Sequence, residues 1–287
     1  MHCVVCIKQV PDSAQIRVHP VTNTIMRQGV PTIINPYDLY ALEEALRVRD
    51  AFGGTVSVIT MGPPMAEAAL RKALAFGADR AVLMTDRIFA GSDTLATSYV
   101  LSQGIMRLAA ETPVDIVFAG KQTIDGDTAQ VGPGIARRLN LNQLTYVEKI
   151  ERLDPKADEI VVHRRAEGGV HVLRTELPCL ITMLEGSNSI RFASMDDMFR
   201  AARAEITVWS AAEAGIEDQT RCGLRGSPTV VRKVFAPKPR QEKAKVIDTA
   251  GLSAAEAAPK VIETLLAADR KLADHLVGHL AAGPMAG

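Results

Sequence analysis

The residues best suited to chemistry lie in one uninterrupted stretch, Gly120-Lys121-Gln122-Thr123-Ile124-Asp125-Gly126-Asp127-Thr128-Ala129-Gln130-Val131-Gly132-Pro133. It follows an apolar strand ending at Ala119 and precedes an expected helix over Gly134–Leu139. A loop at the carboxyl end of a parallel strand, feeding a helix N-terminus, is where open α/β sheets bind ligands. Backbone N–H groups there are free to hold phosphate. Thr128 adds a hydroxyl and Gln130 an amide. Two aspartates are electrostatically awkward beside phosphate, so Asp125 and Asp127 either orient backbone amides as caps or face ribose hydroxyls. The stretch reads as a nucleotide site; the plainer alternative is a capped strand-to-helix turn.

Other chemistry-bearing residues resolve to structural roles. Cys3 and Cys6 form a CxxC, but they sit inside the apolar run Cys3-Val4-Val5-Cys6-Ile7. On a strand, a spacing of three turns the two thiols to opposite faces, and a redox pair needs a helix N-terminus. The pair reads as two buried strand cysteines. With Cys179 and Cys222 the chain has four cysteines, too few for a disulfide scaffold at 287 residues. His275 and His279 have metal-compatible helical spacing but no third ligand, and a surface helix accounts for them. GxGxxG, GxxxxGK[ST] and HExxH motifs are all missing.

The elements that must position the loop follow from hydrophobic patterning. Strands are expected at His2–Val10, Thr55–Met61, Arg80–Thr85 and Val114–Ala119, nearly continuous apolar runs of the kind covered on both faces. Between them, Asn35-Pro36-Tyr37-Asp38 starts a helix. Asn35 is an N-cap, Pro36 takes the first helical position and Asp38 lies near the positive end. This helix runs to about Phe52 and stops at Gly53-Gly54. Further helices are expected after Gly62-Pro63-Pro64 as far as Gly77, and from Ser92 to Ala110. Such alternation implies a parallel sheet with right-handed crossovers, an α/β, Rossmann-like fold with helices on both faces. Leu144–Ile150, Glu159–Arg165 and Val170–Thr175 read as extended, with a hairpin turn at Glu167-Gly168-Gly169. Pro178–Leu184 is another strand, Met195–Arg203 a short helix and Glu205–Trp209 a last strand.

Residues 1–223 thus make one nucleotide-binding domain. Beyond them, Gly226-Ser227-Pro228 and Ala236-Pro237-Lys238-Pro239-Arg240 predict an exposed arm. Residues 224–287 are read as this arm and a helix, about Ser253–Leu280, with Val261, Leu265, Leu272 and Leu276 in an apolar stripe for a partner subunit. Hydrophobic residues make up 47%, enough for a substantial core. Lys plus Arg and Asp plus Glu both number 33, which gives no bulk charge for nucleic acid or anionic membranes. The opening residues are not a signal peptide and no apolar run spans a bilayer, so a cytoplasmic location is expected.

The loop closely resembles the signature of electron-transfer flavoprotein β subunits. Val4-Val5-Cys6-Ile7-Lys8-Gln9-Val10-Pro11-Asp12, Asn35-Pro36-Tyr37-Asp38 and Ala73-Leu74-Ala75-Phe76-Gly77-Ala78-Asp79-Arg80 resemble further elements of that family, in the same order. The resemblance implies a Rossmann-like subunit paired with an α subunit that holds an electron-carrying FAD. It also implies an adenine nucleotide against Cys6, Asn35, Pro36, Tyr37, Asp38, Val58, Met61 and Gly120 through Val131, mostly by backbone contacts. Arg191-Phe192-Ala193-Ser194-Met195-Asp196-Asp197-Met198 is similar to the family's docking loop for acyl-CoA dehydrogenases, with Met195 where the apolar anchor stands.

Where AMP-holding members carry an acidic residue and Asn, this chain has Gly126 and Ala129. That difference and Gly223-Leu224-Arg225-Gly226-Ser227-Pro228-Thr229 resemble the Fix-type, electron-bifurcating branch. There the β subunit carries a second FAD that takes hydride from NADH. The branch implies a ferredoxin or flavodoxin as one acceptor and an acyl-CoA dehydrogenase or quinone oxidoreductase as the other. Gly126 and Gly132 are expected to clear space beside a diphosphate. The alternatives are an AMP-binding β subunit that only shuttles electrons, and a stand-alone nucleotide-binding regulator or ligase. A ligase would need a glycine-bearing loop after the first strand, where Lys8-Gln9-Val10-Pro11-Asp12-Ser13 stands instead.

Overall fold

The computed structural model describes residues 1–12, 17–18, 25–26, 31–229, 246–269, 271–272 and 274. Two compact units divide the chain, Met1–Ala236 and Pro237–Gly287. The first opens with β1 (His2–Cys6) and short strands β2 (Gln9–Pro11), β3 (Arg17–Val18), β4 (Ile25–Met26) and β5 (Thr32–Ile34). Then follow α1 (Pro36–Phe52), β6 (Thr55–Met61), α2 (Glu67–Ala75), β7 (Arg80–Met84), α3 (Thr94–Glu111), β8 (Ile116–Gly120) and α4 (Val131–Leu139). The unit continues with β9 (Asn142–Asp154), β10 (Glu159–Ala166), β11 (Gly169–Glu176), β12 (Cys179–Met183), α5 (Met195–Arg203) and β13 (Thr207–Trp209).

Nine of these strands form one sheet in the order β11-β10-β9-β12-β8-β1-β6-β7-β13. From β9 to β13 neighbouring strands are parallel, while β10 and β11 extend the sheet antiparallel. The α/β expectation holds. Side chains alternate between two cores. Cys3, Val5 and Ile7 join Leu42, Leu46, Leu70 and Leu74 of α1 and α2, whereas Val4 and Cys6 join Val100, Ile105, Ile135 and Ala136 of α3 and α4. The CxxC thiols therefore face opposite sides of the sheet, as period-two alternation requires.

Several boundaries differ from expectation for local reasons. The first strand ends at Cys6 because the N–H of Lys8 is taken by the Asp38 carboxylate, and β2 then pairs with β5 outside the main sheet. Helix α4 starts at Val131 rather than Gly134. Pro133 interrupts nothing there, since its missing N–H belongs to the first turn. Close packing requires the flanking glycines: a Cβ on Gly134 would lie 2.7 Å from Ser98 Oγ of α3. Residues 224–229, expected in the arm, pack against the segment before α3. Gly223 N–H donates to Ser92 Oγ (3.1 Å), and Thr229 Oγ1 donates to Asp93 Oδ2 (2.7 Å).

The second unit contains α6 (Ala254–Ala268), opened by a reciprocal capping box between Ser253 and Glu256. None of its side chains is buried, and Ile262 and Leu265 are exposed. The Pro-rich stretch 236–240 and the residues beyond 274, Leu276 among them, lie outside the described residues.

Burial pushes the thiols of Cys3, Cys6 and Cys179 up to about 12, with Asp115 and Asp38 adding to the shift at Cys3 and Cys6. Thiolate is the reactive form, so these groups are chemically silent near neutrality. Iodoacetamide at pH 8 is expected to leave all three unmodified in the native chain and to label them fully in guanidinium, as read by peptide mass spectrometry. Native labelling of Cys3 and Cys6 together would contradict the strand assignment.

Candidate nucleotide-binding site

Chain order and strand order part company at β1. From β1 the chain moves through α1 to β6 and β7 on one side, then returns through α3 to β8 on the other. Helix α1 follows β1 onto one face of the sheet and α4 follows β8 onto the other. The carboxyl ends of β1 and β8 thus flank a topological switch point, the crevice where doubly wound sheets take ligands.

One carboxylate holds this crevice together. Asp38, 4% exposed, accepts from Lys8 N–H through Oδ2 (2.7 Å) and from Gly120 N–H through Oδ1 (3.2 Å). These are backbone groups at the ends of β1 and β8. Asn35 Nδ2 donates to the same Oδ1 (2.9 Å) and to the carbonyl of Gln122 (2.8 Å), while Asn35 Oδ1 accepts from Ile124 N–H (3.2 Å). Asn35 stands at the N-cap position of α1, but its side chain caps nothing there. It has turned to pin the loop. Gly120 is required by the same approach, since a Cβ would lie 2.4 Å from Asp38 Oδ1 and 2.7 Å from the Tyr37 backbone.

The loop's aspartates face protein groups. Asp125 receives both bonds from Lys8 Nζ (2.8 Å each), and Asp127 accepts from Gln122 Nε2 (2.9 Å). Burial pushes the Asp125 carboxyl up, but the Lys8 ammonium and Thr123 hydroxyl outweigh it and hold it below the usual range. The charge of Asp125 is thereby paired, and Asp127 is hydrogen-bonded to a neutral amide.

At the far end of the loop, Asp127 (φ 51°) and Ala129 (φ 54°) adopt the left-handed region without being glycine. Such strain concentrates at functional sites. Ala129 is followed by Gln130 in a right-handed conformation, an alternation of the kind that can turn successive N–H groups toward an anion. The N–H groups of Val131 and Gly132 have no intrahelical partner, and no side chain caps them. Thr94 Oγ1 donates to Gln130 Oε1 (2.9 Å), fixing the helix entrance.

The remaining expected residues divide by depth. Cys6 is buried at the end of β1, Met61 is half-buried at the end of β6, and Tyr37 is half-buried with Lys121 Nζ 4.8 Å from its ring centroid. Lys121 also pairs with Glu185 (3.2 Å). Val58 lies in the core beneath α1 and α2, away from the strand end. Thr123 and Ile124 are half-buried in the loop's first turn, and Gly126 and Thr128 are exposed. One expectation fails. Gly132 does not clear space in the crevice, because a Cβ there would meet Thr182 Cγ2 at 2.9 Å, on the β12 side. Its role is close helix–strand packing. Sequence reasoning missed Lys8 as the partner of Asp125, a pair separated by 117 residues that carries no local signature. Among the described residues no cluster fit to hold a metal occurs, and no helix is long and apolar enough to cross a membrane.

The electron transfer flavoprotein domain matches residues 22–214, a span that holds α1, the loop and α4. The chain belongs to the electron transfer flavoprotein family. It is 69% identical over 269 residues to Protein FixA of Sinorhizobium fredii, covering 93% of this chain and 94% of that protein. Protein FixA of Azotobacter vinelandii is 69% identical over 249 residues, with 87% and 89% covered. Electron transfer flavoprotein subunit beta of Clostridium acetobutylicum is 49% identical over 233 residues, with 81% and 87% covered. Within the electron transfer flavoproteins the chain is therefore a Fix-type β subunit, an electron-transfer chain rather than a stand-alone regulator or ligase.

Burial pushes the Asp38 carboxyl up from 3.8 to about 7, against the opposing pull of Asn35, the two backbone N–H groups and Lys8. Its folded value lies above the unfolded one. Global stability from this group is therefore greatest when it is protonated, and declines as pH rises from 3.8 through about 7. The loop tether has the opposite sign, because all three neighbours are donors and only the carboxylate satisfies them together. Asp38→Asn sets an amide against a backbone N–H, a mismatch of about 1–3 kcal/mol. Amide exchange across 120–124 is expected to accelerate roughly fivefold to a hundredfold, with β6 and β7 unaffected. In the wild type, protection of these amides should fall as pH drops through about 7, and this pH response should vanish in Asp38→Asn.

Proposed function

We propose that this chain joins an α subunit in a heterodimer and holds an FAD in the crevice between β1 and β8. There it takes reducing equivalents from NADH. They are divided between a ferredoxin or flavodoxin and, through the FAD of the α subunit, an acyl-CoA dehydrogenase or quinone oxidoreductase. The observation that carries this reading is the uncapped N-terminus of α4, with its left-handed-to-right-handed entry at Ala129 and Gln130, at the switch point of the sheet. The group bound there supplies the redox chemistry, and the protein binds and orients it. Backbone N–H groups of Val131 and Gly132 would hold phosphate, Asn35 and Asp38 would set the loop, and Tyr37 and Lys121 would flank the entrance.

Preference for FAD rests on kinship with Fix-type chains, on the exposed Gly126, where a Cβ would meet only Thr123 Oγ1 at 3.4 Å, and on Ala129, which lacks the amide of AMP-holding members. The AMP reading draws support from Gly132, whose missing side chain opens no room on the crevice side. Acid extraction of the purified heterodimer is expected to release two FAD and no AMP, and NADH should bleach the flavin spectrum. One FAD with one AMP, and no response to NADH, would assign the chain to the non-bifurcating class.

The α-subunit partnership is supported by relatives named as β subunits and by the unburied apolar residues of α6. The dehydrogenase or quinone oxidoreductase would dock on the segment before and within α5. Phe192 is 96% exposed and Met195 62%, with Met198 and Phe199 exposed beside them. Ser194 caps the helix by accepting from Asp197 N–H (3.0 Å). Truncation of an apolar hot-spot residue costs about 2 kcal/mol or more. Met195→Ala should therefore slow electron delivery at subsaturating partner while leaving bound cofactor unchanged. Unaltered transfer rates would remove Met195 as the anchor.

A further inference from the structure

The exposed apolar segment is held at both ends by polar contacts that are partly buried. At its C-terminal end, Arg71 Nη1 donates to the carbonyls of Ala201 (2.9 Å) and Ala204 (3.2 Å), and Arg200 Nη2 donates to that of Leu74 (2.8 Å). These bonds tie α5 to α2. At its N-terminal end the fixed point is Glu43 on α1, 4% exposed. Its carboxylate accepts from Arg191 three times: from the backbone N–H (3.1 Å) and Nε (2.8 Å) at Oε2, and from Nη2 (3.3 Å) at Oε1. Arg47 Nε supplies a fourth bond at Oε1 (3.0 Å).

Arg191 also pairs with Asp50 (2.9 Å), and Asn188 Nδ2 donates to the carbonyl of Tyr40 (3.0 Å) and to Glu44 (2.8 Å). The residue after this clamp is Phe192, the most exposed large apolar side chain described. Burial pushes the Glu43 carboxyl up, yet the Arg191 and Arg47 bonds outweigh it and hold it below the usual range. Neither the core nor the nucleotide crevice needs a buried carboxylate at this point. Buried charges are expensive unless fully paired. The geometry gives this one a specific product, a backbone N–H and a guanidinium locked immediately before the apolar tip.

We propose that Glu43 is a positioning residue for partner docking: through Arg191 it preorganises the backbone that displays Phe192 and Met195 to the electron-transfer partner. The inference rests on the docking reading above. Preorganisation adds affinity by lowering the ordering cost of binding, so it acts on partner affinity and not on the cofactor.

The test uses the intact heterodimer and whichever acceptor, acyl-CoA dehydrogenase or quinone oxidoreductase, takes electrons from the wild type. Glu43→Gln keeps the shape but sets an amide donor among four donors. It is expected to raise KM for the acceptor by on the order of tenfold, with kcat at saturation and flavin content unchanged. Amide exchange over 186–194 should accelerate without change in the 120–130 loop. Arg191→Lys, which keeps the charge but loses the fork, should do the same and serves if Glu43→Gln fails to fold. Phe192→Ala and Met195→Ala are run beside them. A raised KM in the alanine variants with wild-type KM in both clamp variants overturns the role of Glu43. Wild-type KM in the alanine variants overturns the docking reading itself.

Discussion

Asp38 joins the ends of β1 and β8 by accepting from Lys8 N–H and Gly120 N–H at once. The crevice has its observed form because of that bridge. Parallel strands end with unpaired backbone groups, and at a switch point the two adjacent ends diverge toward helices on opposite faces. A carboxylate between them satisfies both N–H groups and ends β1 two residues before Lys8. It also requires glycine at position 120 and, through Asn35, fixes the first turn of the loop against the start of α1. Its burial is electrostatically costly, and the site keeps that cost because no neutral side chain offers acceptors to every converging donor.

Helix α1 is the element on which the crevice and the exposed apolar segment converge. Its first turn supplies Tyr37 and Asp38 to the crevice, with Asn35 just before it. One turn further, Tyr40, Glu43 and Glu44 hold residues 188–191 ahead of the exposed apolar segment. The helix is anchored to the sheet by Ala41, Leu42, Ala45 and Leu46, all buried against β1, β6 and β8. Crevice and exposed apolar segment therefore share one helix as their support. A change at either site has a fixed spatial relation to the other without any moving part between them.

Elements bounded by strong local signals were legible in the sequence. Thr55–Met61 reads directly as a strand because it is a continuous apolar run, and Met195–Arg203 reads as a helix because Ser194 caps it. The loop after Gly120 was recognisable as the connection between a strand and a helix. What escaped the sequence was direction. Asn35 looks like a cap, yet its side chain reaches across to Gln122 and Ile124. Gly132 looks like clearance for a ligand, but it accommodates Thr182. Lys8 and Asp125 carry no mark of each other. Each of these depends on a tertiary neighbour far away in the chain, which composition and periodicity do not encode. The same limit explains residues 224–229: Gly and Pro suggested an arm, and only the packing on the segment before α3 assigns them to the first unit.

The paired aspartates have a consequence for how this loop would meet an anion. With Asp125 occupied by Lys8 and Asp127 by Gln122, the loop offers an incoming anion mainly main-chain dipoles. Attraction built from fixed dipoles is short-ranged and depends little on ionic strength, unlike steering by mobile surface charge. It is also indifferent to which side chains project outward from the loop. Gly126 and Thr128 are exposed in the loop. Beneath the loop, Asn35, Asp38 and Gly120 set the path of the main chain.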